Sequence, residues 1–181
     1  MRRALGCCLF DTALGTCALA WTHEALAAVQ LPEATADATL ARLCRPFGDL
    51  PEGDAPPFAQ AAMRRIEALL AGVHDDLRDL PLDFEGVPAF RQRVYEVARA
   101  IPPGEVLTYG EVARRIGAPG ASRAVGQALG HNPFAPVVPC HRVLAAGGRS
   151  GGFSAEGGAD TKLRMLEMEK ARFGDQPGLF D

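Results

Sequence analysis

The stretch from Thr108 to Leu129 constrains the fold of this chain most, because it fixes two short helices and the turn between them. Thr108 is a good helix N-cap residue, and Glu111 stands three positions later, at the spacing of a capping box. The sequence predicts one helix over 109–116, a turn at 117–120 built from glycine, alanine and proline, and a second helix from 122 to about 129. Two short helices joined by such a turn are typical of a helix-turn-helix.

The second of these helices consists mainly of small residues. Small side chains allow a helix backbone to approach another surface closely, and that surface is either a neighbouring helix or the narrow groove of a nucleic acid. A helix that reads the major groove carries several base-reading polar side chains, whereas this one offers mainly Arg123 and Gln127. The composition therefore favours sequence-tolerant binding in the minor groove, with Arg123 as the one long probe. Close packing between helices is the alternative interpretation.

Positive charge is concentrated in the second half of the chain. The net charge of −3 argues mildly against a nucleic-acid partner. Residues 1–86, however, carry 7 basic and 13 acidic side chains, whereas residues 87–181 carry 12 basic and 9 acidic ones. A phosphate-facing surface needs such a local excess of positive charge, although an excess of this size also arises by chance.

A cysteine beside a histidine supplies the candidate chemistry. Cys140 and His141 follow the run Val137-Val138-Pro139, between a Pro/Asn-rich loop at 131–136 and a Gly-rich loop at 147–152. A thiol attacks as the thiolate, and a neighbouring histidine or helix N-terminus lowers a cysteine pKa from about 8.5 to roughly 3.5–7.5. Reactive groups concentrate on loops that a rigid frame holds. A buried core cysteine is the alternative, since lone cysteines are commonly buried.

The remaining elements are predicted from periodicity and turn residues. Short strands are expected at 7–10, 16–21 and 26–31, and helices at 34–45, 57–71 and from Val87-Pro88 to about 100. These elements predict an α/β scaffold domain over 1–83 without recognisable chemistry. A second, mainly helical domain over 84–174 carries the cysteine, and a flexible tail covers 175–181.

The use of cysteine predicts a reducing compartment. The five cysteines show no C-x-x-C spacing, which favours a cytoplasmic location. The start of the chain predicts a short leader followed by a strand rather than a signal peptide. No stretch approaches the roughly 18–20 apolar residues of a membrane span. Zinc ligation would have to use Cys7, Cys8, Cys17 and His23, and because their spacing is not that of a zinc site, we expect no metal. His23 and His74 are expected to be surface residues.

The segment Pro139-Cys140-His141-Arg142-Val143 resembles the active-site motif of the O6-alkylguanine-DNA alkyltransferases, the methylated-DNA–protein-cysteine methyltransferases. Tyr109-Gly110-Glu111-Val112-Ala113, followed by Ser122-Arg123-Ala124-Val125-Gly126, resembles their DNA-binding unit, and Asn132-Pro133 resembles their hinge. The resemblance runs from about Asp11 to Lys170, nearly the whole chain. It implies an N-terminal ribonuclease-H-like α/β domain and a helical, winged-helix-like domain that contains the helix-turn-helix.

The resemblance also implies an activity. A methyl or alkyl group would pass irreversibly from O6-alkylguanine in duplex DNA to Cys140, after the base is flipped out through the minor groove. O4-methylthymine is a second candidate substrate. Each molecule would act once, because no group in the motif could remove an alkyl group from a thioether. No cofactor is implied, and the protein is expected to act as a monomer.

The catalytic roles are those that the resemblance implies. His141 would be the base that takes the thiol proton through a water, and Glu169 would orient His141. Asn132 would link the recognition helix to the cysteine loop. The carbonyl groups of Cys140 and Val143 would accept hydrogen bonds from the exocyclic amine of guanine.

The DNA-binding and pocket residues also follow from the resemblance. Tyr109 would assist base flipping and contact the guanine, and Arg123 would fill the gap in the base stack. Phe153 and Ser154 would close the pocket, with the Ser154 N–H directed at guanine O6. The stretch from 153 to 162 is longer than in relatives, and Phe153 lacks a phenol. The remaining DNA contacts would come from Ser122, Ala124 and Gln127.

Two other classes of function are open. An alkyltransferase-like protein would bind the lesion without reacting, but those relatives lack the cysteine that this chain has at position 140. A cysteine hydrolase would need an oxyanion site and would turn over. Transfer, in contrast, predicts one alkyl group for each protein molecule.

The C-terminal tail suggests a partner. Gln176, Leu179 and Phe180 resemble the short peptide by which bacterial DNA-processing proteins bind the replication sliding clamp, although Pro177 departs from the usual leucine. The match is short, so accidental occurrence is a serious alternative. Packing of Phe180 against the protein itself is the other.

Overall fold

The computed structural model describes residues 2–147 and 158–172. Its first half is built on an antiparallel sheet of β1 (Gly6–Thr12), β2 (Gly15–Trp21) and β3 (Leu26–Gln30), in that order. The three predicted strands are confirmed. A tight turn joins β1 to β2, in which the hydroxyl of Thr12 donates to the carbonyl of Gly15 at 2.8 Å. Gly15 has φ of 131°, a backbone conformation that other residues avoid.

The sheet is buried on both faces because the side chains of β2 alternate between two helices. Cys17, Leu19 and Trp21 face the core that contains α2 (Pro57–Leu69). Ala18 and Ala20 face the opposite side, toward α1 (Ala36–Cys44). Since a fully buried Leu contributes about 1.5–3 kcal/mol, this alternation fixes the register of the sheet. The result is a helix–sheet–helix arrangement.

The second half contains three packed helices, α3 (Ala89–Arg99), α4 (Tyr109–Arg115) and α5 (Ser122–Gly130). The predicted capping box is present. The Glu111 amide donates to the Thr108 hydroxyl at 3.1 Å, and the Thr108 amide donates to the Glu111 carboxylate at 2.7 Å. Gly117, with φ of 75°, follows the end of α4. The hydroxyl of Tyr95 in α3 donates to the carbonyl of Ala128 in α5 at 2.8 Å, which joins these two helices.

The two halves meet along the segment that leads to the cysteine. The amide of Val29 in the sheet donates to the carbonyl of Pro133 at 2.9 Å. Val137 belongs to the same apolar cluster as the sheet, whereas Val138 belongs to the cluster of the second half. The cysteine loop is therefore anchored in both cores at once.

Arg2 forms a further link between the halves, although the sequence predicted only a leader there. Its guanidinium lies over the rings of Phe47 and Phe134, 5.4 and 5.5 Å from their centroids. It also donates to the carbonyl of Asp83 at 2.9 Å. Stacking of this kind joins residues far apart in sequence, so no local pattern could have indicated it.

Two short strands position the elements of the candidate site. β4 (Leu107–Thr108) pairs in parallel with β5 (Val143–Leu144). A 3₁₀ turn, Cys140–Arg142, immediately precedes β5, and α6 (Gly158–Met168) packs against that turn. The pairing therefore brings the start of α4 beside the cysteine turn. No helix in the described part of the chain is long and apolar enough to cross a membrane.

The cysteines of the sheet lie on opposite faces. Cys7 belongs to the cluster beside α1, whereas Cys17 belongs to the one beside α2, with Cys8 packed against it. His23 is exposed, as predicted. Within residues 2–147 and 158–172, no group of three or more His, Cys, Asp or Glu side chains is arranged to hold a metal ion.

Candidate active site

A tight backbone turn presents Cys140. Pro139 has φ of −83° and ψ of 69°, and the amide of Cys140 donates to the carbonyl of Val138 at 2.9 Å. This is the geometry of an inverse γ-turn, which the fixed φ of proline favours. Cys140 then begins the 3₁₀ turn and is 5% exposed. The thiol is thus held at the edge of the second core.

Asn132 connects the helix α5 to this turn. Its amide nitrogen donates to the carbonyl of Val138 at 2.8 Å, and its side-chain oxygen accepts from the amide of Phe134 at 2.9 Å. Both ends of the side chain are therefore used. Because α5 ends two residues earlier, these bonds fix the orientation of the cysteine turn relative to the helix.

His141, Arg142 and Glu169 form a buried charged array next to the thiol. Nε2 of His141 donates to Oε1 of Glu169 at 2.7 Å. Arg142 donates through two nitrogens to the same carboxylate, at 2.7 and 3.0 Å, and through a third to the carbonyl of Ile101 at 2.7 Å. The paired geometry is the strong form of an arginine–carboxylate contact. The predicted link between Glu169 and His141 is thus present as a contact, whereas the part of Arg142 was not predicted.

The array sets the protonation of its members. Burial raises the pKa of Glu169, but the hydrogen bonds from His141 and Arg142 more than offset burial and hold it at about 2. The ionised carboxylate fixes the proton of a neutral His141 on Nε2, so Nδ1 carries the basic lone pair. Nδ1 is buried and has no hydrogen-bond partner among the described residues. Burial lowers the pKa of His141, and Glu169 acts in the opposite direction.

The pKa of Cys140 differs from the sequence expectation. Burial raises the thiol pKa, and hydrogen bonding from Asn132 and the charge of Lys162 only partly oppose this. A neighbouring histidine therefore does not produce a preformed thiolate here, because the apolar surroundings disfavour the anion. At neutral pH, Cys140 is therefore a thiol rather than a thiolate.

Lys162 is a site residue that the sequence analysis did not identify. Its side chain is fully buried, its Nζ donates to the hydroxyl of Tyr109 at 3.5 Å, and Nζ lies 5.6 Å from the centroid of that ring. Burial lowers the pKa of Lys162 to about 8 and raises that of Tyr109. The burial of Lys162 could have been predicted from the sequence, because Lys162 stands at helical spacing with Met165, Leu166 and Glu169, all of which are buried.

Helix α5 presents two different faces. Arg123 and Gln127, one turn apart, are exposed, whereas Val125 is buried in the second core. A Cβ atom at Gly126 would lie 3.9 Å from the ring of Tyr109. Gly126 therefore packs within the protein, while the two long side chains point to solvent. The remaining predicted contacts, Ser122 and Ala124, are partly exposed.

The other predicted pocket residues are placed as follows. Val143 is fully buried, pairs with Leu107 in the β4–β5 ladder, and donates its amide to the carbonyl of Cys140. Phe153 and Ser154 lie outside the described residues. His74, expected at the surface, is exposed, and its Nε2 donates to the main-chain carbonyl of Glu169 at 3.1 Å.

The fold and the site together define a mixed α/β protein in which a buried cysteine, followed in sequence by a histidine bound to a glutamate, lies beside a helix-turn-helix. The family model described as the 6-O-methylguanine DNA methyltransferase, DNA binding domain, matches residues 89–171. A methylated-DNA–protein-cysteine methyltransferase of Mycobacterium tuberculosis is 45% identical over 126 residues, which cover 70% of this chain and 74% of that protein. A protein of the same name from Mycobacterium leprae is 38% identical over 175 residues, covering 97% and 98%.

The solved structures agree with these relatives. The crystal structure of Mycobacterium tuberculosis OGT in complex with DNA matches with a TM-score of 0.75 at 35% identity, covering 98% of this chain and 100% of that one. The chain therefore belongs to the methylated-DNA–protein-cysteine methyltransferase family and is a methyltransferase. The resemblance seen in the sequence is confirmed.

Proposed function

We propose that this protein repairs alkylated DNA by transferring the alkyl group of O6-alkylguanine directly and irreversibly to Cys140. The observation that carries the proposal is the thiol of Cys140, held at the start of a tight turn between the His141–Glu169 pair and the end of helix α5. The relatives' names, which specify methylated DNA and a protein cysteine, support it. O6-methylguanine is the primary substrate and O4-methylthymine the secondary one.

Activation of the thiol is assigned to His141. Its unpartnered Nδ1 is the basic nitrogen of the neutral ring, and a water between Nδ1 and Sγ relays the proton. The imidazolium that forms is stabilised by the ionised Glu169 at 2.7 Å. Arg142 holds that carboxylate in place through two hydrogen bonds.

Transfer itself is a displacement at the alkyl carbon. The thiolate of Cys140 forms the new S–C bond while the C–O6 bond breaks, and the electron pair passes to the guanine ring. The departing guanine therefore needs a proton or a neutralising charge. Tyr109 is assigned to donate it, and Lys162, whose ammonium lies beside the phenol, is assigned to replenish Tyr109. The thioether product is stable, so each molecule acts once.

Binding of DNA is assigned to helix α5. Arg123 enters the minor groove and occupies the gap that the flipped base leaves. Ser122, Ala124 and Gln127 contact the adjacent backbone. The carbonyls of Cys140 and Val143 hold the guanine amine, and Phe153 and Ser154 complete the pocket.

The division of labour follows the two halves of the chain. Residues 1–83 form a ribonuclease-H-like scaffold, supported by the antiparallel sheet between α1 and α2. Residues 84–174 form a winged-helix-like domain that binds DNA and reacts, supported by helices α3 to α5 and the short β4–β5 pair. We place the protein in the cytoplasm, because its five cysteines are free thiols. We propose that it acts as a monomer.

Stoichiometry separates this function from its alternatives. Duplex DNA that carries radiolabelled O6-methylguanine is mixed with an excess or a deficit of protein, and label on protein is counted. Transfer predicts one methyl group on Cys140 per protein molecule and none with Cys140→Ala, which still binds the DNA. Continued methyl release would establish a hydrolase. Binding without label would establish a lesion-binding protein.

A second proposal concerns a partner. The tail residues Gln176, Leu179 and Phe180 are assigned to bind the bacterial sliding clamp, which would bring a single-use repair protein to newly replicated DNA. The proposal rests on the sequence, because these residues lie outside the described part. Clamp binding by the intact chain is compared with that of a chain ending at Asp175. Equal binding, or none by either, would refute it.

A further inference from the structure

Two cysteines in the N-terminal half lie in contact, away from the proposed transfer site. Sγ of Cys7 in β1 is 3.8 Å from Sγ of Cys44, the last residue of α1. They belong to the apolar cluster between the sheet and α1, which shares no member with the cluster around Cys140. The other cysteines have different neighbours. Cys8 lies against the sulfur of Met63, and Cys17 against the hydroxyl of Thr12.

The pair is accessible from one side only. Cys7 is fully buried, whereas Cys44 is partly exposed and lines a surface groove together with Leu40, Gly48 and Pro51. A small oxidant in this groove therefore reaches Cys44 first. Burial, followed by the contact with Cys44, raises the pKa of Cys7 to about 12, so Cys7 is a protonated thiol at neutral pH.

We propose that Cys7 and Cys44 form a reversible disulfide when the protein meets a peroxide. Closing the gap to the bond length of about 2 Å requires a modest movement of Cys44. That movement is possible because Cys44 is the final residue of its helix and a turn follows it. Disulfides in a reducing compartment are usually transient and redox-sensing, which is the behaviour that this pair would show.

The chemistry proceeds in two balanced steps. Cys44 loses its proton as its sulfur attacks one peroxide oxygen, the O–O bond breaks, and the departing hydroxide takes up that proton, which gives a sulfenic acid and one water. Cys7 then gives up its proton to the hydroxyl of the sulfenic acid as its sulfur attacks the Cys44 sulfur, the S–O bond breaks, and a second water leaves. Two thiols are oxidised to one disulfide and one peroxide is reduced. A thiol reductant reverses the reaction.

The bridge would connect β1 to the end of α1. It would restrict the unfolded chain and thereby stabilise the folded one, as disulfides across loops of this length do. An upward shift of the melting temperature of roughly 5–10 °C is expected on oxidation. Stability of the N-terminal half would then depend on the redox state of these thiols.

The test is peptide mapping of the full chain. The protein is exposed to hydrogen peroxide and then unfolded in denaturant that contains iodoacetamide, which blocks every remaining thiol including the buried ones, and the digest is analysed by mass spectrometry with and without dithiothreitol. We expect a reducible cross-link between the peptides that contain Cys7 and Cys44. Cys8→Ser, which changes the neighbouring residue on the other face, should leave the cross-link intact, whereas Cys7→Ser and Cys44→Ser should abolish it.

A second measurement tests whether the Cys7–Cys44 bridge, rather than oxidation of another cysteine, raises the melting temperature. Melting is compared before and after peroxide in a Cys140→Ser background, so that oxidation of Cys140 does not contribute. The upward shift should occur there and vanish when Cys44→Ser is added. Peroxide treatment that leaves both Cys7 and Cys44 open to iodoacetamide, or that oxidises Cys44 irreversibly without a cross-link, overturns the proposal.

Discussion

Nε2 of His141 lies 2.7 Å from Oε1 of Glu169, and neither side chain is open to solvent. His141 shares this carboxylate with Arg142, the next residue in the chain, which binds both carboxylate oxygens. A buried carboxylate needs such compensation, because an unpaired one would lose several kcal/mol of solvation. The arrangement keeps Glu169 charged and so prepares the site for an imidazolium.

Glu169→Gln should shift the reactivity of Cys140 to higher pH. The carboxylate favours the charged imidazolium, so its loss lowers the basicity of His141 further and raises the apparent pKa at which the thiol reacts. The measurement is the pH dependence of Cys140 alkylation by iodoacetamide. Glu167→Gln, which changes an exposed carboxylate two residues earlier, in the last turn of α6, is the control and should leave the profile unchanged. An identical profile for both variants would show that Glu169 does not act on this pair.

The same glutamate should make the protein sensitive to acid. Its pKa is lowered from 4.5 to about 2, which corresponds to about 3 kcal/mol of stability. This contribution is complete above the unfolded pKa of 4.5 and is lost as the pH falls through about 2. Urea unfolding of the protein and of Glu169→Gln should therefore differ most at neutral pH, and the difference should narrow between pH 4.5 and 3. A constant difference over that range would contradict the linkage.

How much the sequence could predict depends on how local each interaction is. The bond between Thr108 and Glu111 spans three residues, so its pattern is visible in the chain and the start of α4 was predicted correctly. The sheet strands were also predicted correctly, because short apolar runs bounded by turn residues are local patterns. The stacking of Arg2 on Phe134 and the bond from Arg142 to Ile101 join distant segments. No pattern in the residues adjacent to Arg2 or Arg142 in the sequence predicts these contacts.

Burial also explains two features of the site that were not predicted from the sequence. The pair Cys140-His141 suggested a lowered thiol pKa, and the structure places the thiol in an apolar cluster that raises it. Lys162 was given no role at the site from the sequence, yet it is fully buried against Tyr109. Periodicity identifies which face of a helix is buried, but the cost of burying a charge there depends on neighbours from other elements.

Lys162→Met should remove the alkaline limb of the transfer reaction. Lys162 has a pKa of about 8, so its proton is available below that pH and lost above it. If Lys162 supplies Tyr109, transfer from methylated DNA should decline as the pH rises past 8, and the variant should be roughly 100-fold slower without that decline. Because the ammonium also lowers the thiol pKa, iodoacetamide alkylation should shift to higher pH in the variant.

The control for this prediction is Arg164→Met, which removes an exposed cation from the same helix. It should preserve both the rate and the alkaline limb. Iodide needs no proton when it leaves, so alkylation by iodoacetamide should show no decline above pH 8 in any variant. A limb that persists in Lys162→Met would assign the titration to another group.

Arg123→Ala should slow transfer on duplex DNA much more than on the free base. Arg123 is exposed on α5, and its assigned role is to fill the gap that the flipped guanine leaves. Extrusion of a base costs a few kcal/mol, so loss of the side chain should slow the duplex reaction roughly tenfold or more. Free O6-benzylguanine needs no flipping, and its rate of reaction with Cys140 should be unchanged. Arg115→Ala, which removes an exposed cation from the end of α4, is the matched control. Equal losses on duplex and free base would mean that Arg123 supports the fold of the site rather than the flipped state.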